Sequence, residues 1–510
     1  MTQMYRYCIY RACSLGGLCC QFMMSEKTAQ NSLPPLVVDL DDTLIIGDTL
    51  VESFFRCMRK APFAALKAIG ALFAGRAQFK DQLAKKAALS AETLVFNEDV
   101  VAYIRGEKAK GRRIVLATAA NHLIAQNVAD QLSLFDDVIA SSDAQNVKGA
   151  TKRATIIELL GTDQFDYIGD STADLSVWGG NTRAILVGDA QLQETVRDHN
   201  IDVLKRFDRP RPNFSTYLKL MRVHQWAKNA LIFLPVLLAK QYLDIGVLFA
   251  AFIAVLSFSL CASATYIWND LLDLASDRKH PTKKNRPLAS GAIATIDGLT
   301  ASFVLLASAF LISAIFLPLI FIIVLLGYIF ITVNYSIWVK RKMMLDVLTL
   351  AGLYGYRLMA GGAATGILLS EWLLMFSIFF FLNLALIKRM TDLHYEPNTF
   401  DKTIKGRGYF GGDIELVRTL GVTSGYMSVI VMALYVTSDY IMGLYPSPEL
   451  LWVNCGLLLY WISRTWFFAH RGIMHDDPIV FALRDRVSWI VATMMGIATI
   501  SASLPWRNWI

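Results

Sequence analysis

From about residue 215 onward the sequence is a succession of apolar runs separated by short charged loops. A helix needs about 20 apolar residues to cross roughly 30 Å of hydrocarbon. Nine stretches are candidates: about 227–239 (the short one), 243–267, 296–315, 317–337, 347–367, 369–387, 417–437, 450–469 and 487–505. The close connections at 315–317 and 367–370 predict helical hairpins. A chain that is 55% hydrophobic and only 18% charged is too apolar for an ordinary soluble protein. A soluble helical bundle is therefore excluded, and an all-α polytopic membrane domain of about nine helices is expected.

The loops alternate in charge. Loop 268–295 holds Arg278, Lys279, Lys283, Lys284 and Arg286, and loop 338–346 holds Lys340, Arg341 and Lys342. Loop 388–416 adds Lys388, Arg389, Lys402, Lys405 and Arg407, and loop 470–486 has Arg471, Arg484 and Arg486, whereas the opposite loops carry little beyond Lys240. The net charge of +7 thus sits in membrane loops rather than on a soluble basic face, which argues against nucleic-acid binding. The positive-inside rule predicts basic loops and an N-terminal domain in the cytoplasm, at what would be a bacterial inner membrane, with the C-terminus outside.

Before residue 205 charged and apolar residues mix as in a globular domain. The expected organisation is an extension over 1–33, a soluble domain over 34–204 with a helical cap at about 48–97, a linker over 205–215 and a membrane domain over 216–510. Phe207-Asp-Arg-Pro-Arg-Pro212 reads as a stiff, basic link. Arg6, Arg11 and a weak apolar run to Met24 lack a good cleavage site, so a dispensable extension is expected rather than a signal peptide. Cys8, Cys13, Cys19 and Cys20 crowd that extension, and the seven cysteines show no metal-site spacing or disulfide framework.

One membrane loop carries chemistry. In Tyr266-Ile-Trp-Asn-Asp-Leu-Leu-Asp-Leu-Ala-Ser-Asp-Arg-Lys-His280, Asp270, Asp273 and Asp277 stand at i, i+3 and i+7, one face of a helix. Like charges so arranged repel unless a cation bridges them. Mg²⁺ with substrate phosphate oxygens suits such a set, and Lys283, Lys284 and Arg286 just downstream can meet the remaining phosphate charge. The alternative is an acidic helix end in water.

N-D-x-x-D-x-x-x-D followed by N-R-P-L-x-S-G resembles the first aspartate-rich signature of the UbiA polyprenyltransferase superfamily, a likeness that spans about residues 215–510. The resemblance implies a nine-helix membrane enzyme in which Asn269, Asp270, Asp273 and Asp277 hold a Mg²⁺-diphosphate, with Asp270 and Asp273 central to catalysis. Members that prenylate aromatic rings carry a second D-x-x-x-D; here only Asp392 and Glu396 keep that spacing. Arg222-Val-His-Gln-Trp-Ala-Lys-Asn229 and Tyr356-Arg357-Leu-Met-Ala-Gly-Gly362 look like the decaprenyl-phosphate phosphoribosyltransferase branch. That branch implies a polyprenyl phosphate and phosphoribosyl pyrophosphate as substrates, with Lys228 and Arg357 as candidate phosphate ligands. Arg357 also stands inside an apolar span, where an arginine is expensive; the alternative is a structural pairing with an acidic or carbonyl group. The last basic loop, Arg471–Pro478 and Ala482–Arg486, either closes the site or merely joins helices.

In the soluble part, Leu36-Val-Val-Asp-Leu-Asp-Asp-Thr-Leu44 is an apolar strand ending in D-x-D-x-T, which sends Asp39 and Asp41 to one side at its carboxyl edge. One carboxylate can be a nucleophile and the other an acid/base, provided Mg²⁺ neutralises the phosphate. Arg113–Thr118 reads as a strand ending in a hydroxyl, Lys148 precedes a helix, and Phe165-Asp-Tyr-Ile-Gly-Asp-Ser-Thr-Ala-Asp174 reads as a strand ending in G-D-x-x-x-D. In this order the pieces resemble the haloacid dehalogenase-like hydrolases, an α/β Rossmann-like fold with a helical cap. The resemblance implies Asp39 as nucleophile and metal ligand, Asp41 as general acid/base, Thr118 and a lysine on the phosphate, and Asp170 with Asp174 on Mg²⁺. Lys148 is preferred to Lys152 for its distance from the third strand's aspartate.

Together these readings predict a Mg²⁺-dependent transferase fused to a phosphatase that removes the 5-phosphate from its product. A prenyltransferase moving a polyprenyl chain from its diphosphate to an aromatic or other small acceptor is the second reading, and a lipid-binding or transport protein with a spent site is the third.

Overall fold

The computed structural model describes residues 33–71, 76–86, 89–142, 146–209, 212–394, 408–474 and 478–505. The extension, Pro210 and Arg211 of the link, Glu396 with Lys402, Lys405 and Arg407, and His475-Asp-Asp477 lie outside the described residues. Contacts divide the chain into two compact units, Met1–Asn213 with Asp273–Ile296, and Phe214–Leu272 with Asp297–Ile510.

The first unit is built on six parallel strands, β1 (Leu36–Val38), β2 (Ile114–Asn121), β3 (Asp137–Ser141), β4 (Asp166–Gly169), β5 (Arg183–Val187) and β6 (Val203–Phe207), in the order β3-β2-β1-β4-β5-β6. Leu36-Val37-Val38 shows no polar alternation because both faces are covered. Leu36 and Val38 enter one core with Ile114, Leu116 and Ile168; Val37 enters the other with Val115, Tyr167 and Leu186. The order reverses between β1 and β4, which opens the crevice where open α/β sheets place their ligands. β6 carries the sheet to Phe207, past the boundary expected at 204.

Three helices, Thr49–Lys60, Pro62–Ala71 and Arg76–Lys86, follow β1 in the stretch where a cap is expected. Asp48 starts the first by accepting the amides of Leu50 (2.7 Å) and Val51 (3.0 Å). This unit also takes in Asp273–Ile296. Arg278 grips Glu52 through both terminal nitrogens at 2.9 and 2.8 Å and donates to the Thr93 carbonyl at 2.5 Å. The Asp48 amide donates to the Thr295 hydroxyl at 3.1 Å.

The second unit is helical. Among the described residues five helices are long and apolar enough to cross a membrane: Ile245–Arg278, Thr295–Phe316, Leu319–Arg341, Glu371–Leu393 and Gly411–Val436. The nine expected spans are not reached by this measure. The 227–239 stretch breaks into a 3-10 segment, Val223–Phe233, and a short helix, Leu234–Leu238. Leu345–Thr365 carries Asp346 and Arg357 among its glycines, Trp452–His470 carries Asn454 and Arg464, and Arg486–Ala502 is only 17 residues long. Small residues bring helices together here as they do in lipid. A Cβ on Gly361 would stand 2.3 Å from the Ile232 carbonyl, so glycine alone lets Leu345–Thr365 press against the Val223–Phe233 segment.

Candidate active sites

The phosphatase-like site lies at the carboxyl ends of β1 and β4. Asp39 follows β1, is 9% exposed, and accepts the Leu40 amide at 2.8 Å. Asp170 follows β4 and takes a long bond, 3.4 Å, from the Thr43 hydroxyl. Asp174 is buried and accepts from the Tyr167 hydroxyl at 3.0 Å and the Asp170 amide at 3.3 Å. A Cβ on Gly169 would meet the Asp174 carboxylate at 2.7 Å, which explains the glycine of G-D-x-x-x-D.

Oxygens of Asp39, Asp170 and Asp174 all lie within 4.8 Å of one another. Burial, then the charges of Asp39 and Asp174, pushes Asp170 up to about 8. Burial, then Asp39, pushes Asp174 up to about 6. Asp170 and Asp174 resist ionising beside Asp39, a crowding that a hard divalent cation relieves, so this set fits Mg²⁺. Asp41 accepts the Thr49 amide at 2.7 Å; burial, then the Asp48 carboxylate, raises it to about 8, which suits a proton donor.

The lysine beside Asp39 is Lys152, not Lys148. Lys152 Nζ stands 3.0 Å from Asp39 Oδ2 and 2.9 Å from the Tyr167 hydroxyl, with the side chain 4% exposed. Burial alone would lower Lys152, yet the surrounding Asp39, Asp174 and Asp41 carboxylates raise it. Lys148 is exposed and lines the same cavity of about 490 Å³. The physical reason is helical phase. Helix Ala150–Leu160 begins after Gly149, so Lys148 precedes it, while Lys152 shares its buried face with Ile156. Thr118 is fully buried and its hydroxyl accepts the Ala120 amide at 3.0 Å; the residues after it, Ala119, Ala120 and Asn121, line the cavity.

The aspartate-rich helix Ile245–Arg278 carries Asn269, Asp270, Asp273 and Asp277, and the two compact units divide it after Leu272. In the second unit, buried Asp270 pairs with Arg222, whose guanidinium lies 5.2 Å from the Tyr266 ring centre, and Lys340 reaches Asn269 at 3.5 Å. Arg222 itself has a φ of 51°, in the left-handed region. In the first unit, Asp273 pairs with Arg59 at 3.2 Å and Asp277 with Arg286 at 2.6 Å. Each aspartate thus has an arginine, and among the described residues the only close group of potential ligands is Asp39 with Asp170 and Asp174. Asp270, Asp273 and Asp277, expected to gather a cation, lie along one helix. Arg286, expected on phosphate, lies against Asp277, while Lys283 is half-buried and Lys284 exposed on the 3-10 turn Lys283–Asn285.

Arg357 is 4% exposed. It donates to Asn229 Oδ1 at 2.8 Å and to the Leu353 carbonyl at 2.5 Å, and its guanidinium faces the rings of Phe258, Tyr328 and Tyr354 at 5.4, 5.9 and 5.6 Å. Asn229 in turn donates to Ser259 at 2.8 Å. Lys228, 8% exposed, shares the Tyr354 ring at 5.7 Å. Two buried cations therefore gather on one tyrosine, in a neighbourhood that suits an anion. Asp392, at the position of the second aspartate motif, is bound by Arg389 at 2.8 Å, and Arg389 is bound by fully buried Asp346 at 2.6 Å.

Arg222, Asn229 and Tyr167 join these sites without a motif of their own to give them roles. Tyr167, a β4 residue on the same side of the sheet as Val37, reaches Lys152.

The haloacid dehalogenase-like hydrolase family matches residues 36–177, and the UbiA prenyltransferase family matches residues 230–483. The uncharacterized protein y4nM of Sinorhizobium fredii is 35% identical over 470 residues, covering 92% of this chain and 91% of that protein. The nodulation protein NoeC of Azorhizobium caulinodans is 33% identical over 288 residues, 56% of this chain and 92% of that protein. A decaprenyl-phosphate phosphoribosyltransferase of Mycobacterium tuberculosis is 30% identical over 292 residues, 56% of this chain and 93% of that protein. On the aspartate-rich helix, the apolar spans and these likenesses, the chain belongs to the UbiA prenyltransferase family, as an integral membrane enzyme that carries a haloacid dehalogenase-like hydrolase domain on its amino-terminal side.

Proposed function

We propose that the membrane domain transfers 5-phosphoribose from phosphoribosyl pyrophosphate to a polyprenyl phosphate, and that the hydrolase domain then removes the 5-phosphate. In the first step a lipid phosphate oxygen forms a bond to C1 of the sugar while the C1–O bond to pyrophosphate breaks. Pyrophosphate leaves with the electron pair. Asn269 and Asp270, with Asp273 and Asp277, are the groups that would hold the leaving diphosphate through Mg²⁺, whose charge would stabilise it. Arg222 and Arg286 neutralise Asp270 and Asp277 until then. Lys228 and Arg357 are assigned to phosphate oxygens, with Asn229 fixing the plane of the Arg357 guanidinium.

In the second step the Asp39 carboxylate attacks the phosphorus of the 5-phosphate, and Asp41 gives its proton to the departing sugar oxygen. Asp41 then takes a proton from the water that hydrolyses the aspartyl-phosphate. Lys152 orients Asp39 for the attack. Mg²⁺ held by Asp39, Asp170 and Asp174 would supply charge neutralisation for the phosphoryl group.

The observation that carries the reading is the presence, in one chain, of a buried carboxylate–lysine hydrolase site and the aspartate-rich helix, in a protein similar to a decaprenyl-phosphate phosphoribosyltransferase. Purified protein incubated with labelled phosphoribosyl pyrophosphate, Mg²⁺ and polyprenyl phosphate is expected to release pyrophosphate. Consumption of a prenyl diphosphate with an aromatic acceptor, and no pyrophosphate from the labelled sugar, would favour the prenyltransferase reading instead.

A further inference from the structure

The hydrolase cavity is lined by three lysines as well as six aspartates. Lys152 is already committed to Asp39 in the interior. Two further lysines, Lys80 and Lys148, line the same cavity. Lys80 comes from the cap helix Arg76–Lys86 and is fixed by donation to the Ala119 carbonyl at 2.6 Å, one residue beyond Thr118. Its neighbour Phe79 is buried against the same space. Next to it, Asp81 accepts from Asn121 at 3.4 Å, which ties this cap helix to the end of β2. Lys80 is therefore held on the wall by two elements rather than left waving in water.

Of these aspartates, Asp39, Asp170 and Asp174 form the candidate cation site. Asp48 caps the helix Thr49–Lys60, Asp41 accepts the Thr49 amide, and Asp42 pairs with Arg209 at 2.5 Å. The volume, about 490 Å³, lies in the range of roughly 300–1,000 Å³ that accommodates whole small-molecule ligands rather than a lone phosphate.

We propose that Lys80 and Lys148 form a second anion subsite, so that the hydrolase selects phosphomonoesters bearing a further phosphate elsewhere on the same sugar. This deepens the proposed function and rests on it: the phosphoribosyl lipid would present a 5-phosphomonoester to Asp39 and, at C1, a singly charged phosphodiester to the lysines. An ammonium on such an anion forms a charge-assisted hydrogen bond, which discriminates strongly against a substrate lacking it.

The test compares phosphate release by the full chain from two soluble compounds, ribose 5-phosphate carrying a methyl phosphodiester at C1 and methyl riboside 5-phosphate. The expected preference in kcat/KM for the first is about tenfold or more, carried mainly by KM. Lys80→Gln and, independently, the exposed Lys148→Gln are expected to shrink that ratio, and Lys80→Arg to keep most of it. Equal kcat/KM for the two compounds in the wild type would overturn the subsite, as would glutamine variants that slow both compounds by the same factor. Failure of the underlying reading is distinguishable, because it would show as no phosphate release from either compound.

Discussion

Lys152 Nζ stands 3.0 Å from Asp39 Oδ2, with both side chains withdrawn from solvent and Tyr167 bridging the lysine to Asp174. This contact sets a buried ammonium against the proposed nucleophile of the hydrolase domain. Lys152→Ala is expected to lower phosphatase kcat/KM by about a hundredfold or more, corresponding to roughly 3 kcal/mol of lost transition-state stabilisation. Lys148→Ala is expected to lose much less, mainly in KM. Steady-state phosphate release from the two variants decides between the lysines.

Metal binding at this site is expected to carry a proton signature. Asp41 and Asp170 are held up at about 8 and Asp174 at about 6, against 3.8 for a free aspartate. Such groups stay protonated in the fold while the unfolded chain ionises. Their share of stability is therefore complete below pH 3.8 and is lost as pH rises to about 8. The metal-free protein should lose thermal stability between about pH 5 and pH 8.5, and added Mg²⁺ should restore it increasingly over that interval while releasing protons. Calorimetric titration in buffers of different ionisation enthalpy reads the protons directly; Asp170→Asn should release fewer. Proton release that is absent at pH 7 would contradict the assignment of these carboxylates.

The Glu52–Arg278 pair lies in the first unit, with side chains 4% and 8% exposed. Glu52→Ala would leave a buried guanidinium with its carboxylate removed, a loss of about 3–5 kcal/mol in comparable cases. The Thr93 carbonyl retains part of the bonding, so a value near the lower end is expected. Limited proteolysis of the variant should cut within the first unit at lower protease concentrations than in the wild type, with Glu52→Gln intermediate.

Much of this arrangement was legible in the residues themselves. D-x-D-x-T and G-D-x-x-x-D fixed Asp39, Asp41, Asp170 and Asp174 because a strand's carboxyl end leaves its next residues little choice of direction. Counting residues back from β4 points to Lys148 but ignores which face of the intervening helix is buried; Lys152 and Ile156, one turn apart, mark that face. Spacing alone placed Asp270, Asp273 and Asp277 on one helix, but their arginine partners lie 48, 214 and 9 positions away for Arg222, Arg59 and Arg286, and only a fold brings the first two near. Among the described residues five of the expected spans form long apolar helices, while others are short or carry buried polar residues such as Arg357.

Arg357 is gripped by Asn229 and three aromatic rings. Lysine cannot reproduce this planar contact, so Arg357→Lys is not a conservative change. The variant is expected to raise KM for polyprenyl phosphate about tenfold or more in the pyrophosphate-release assay. Asn229→Ala should shift the same constant in the same direction by a smaller factor. An unchanged KM in Arg357→Lys would leave this arginine a structural residue.

The coupling of the two domains is tested most directly by the mass of the lipid product formed from polyprenyl phosphate, phosphoribosyl pyrophosphate and Mg²⁺. The wild type should yield polyprenyl-phosphoryl ribose, Asp39→Asn the same lipid retaining its 5-phosphate, and Asp270→Asn no sugar-bearing lipid. An identical product from wild type and Asp39→Asn, or full product from Asp270→Asn, would contradict the account.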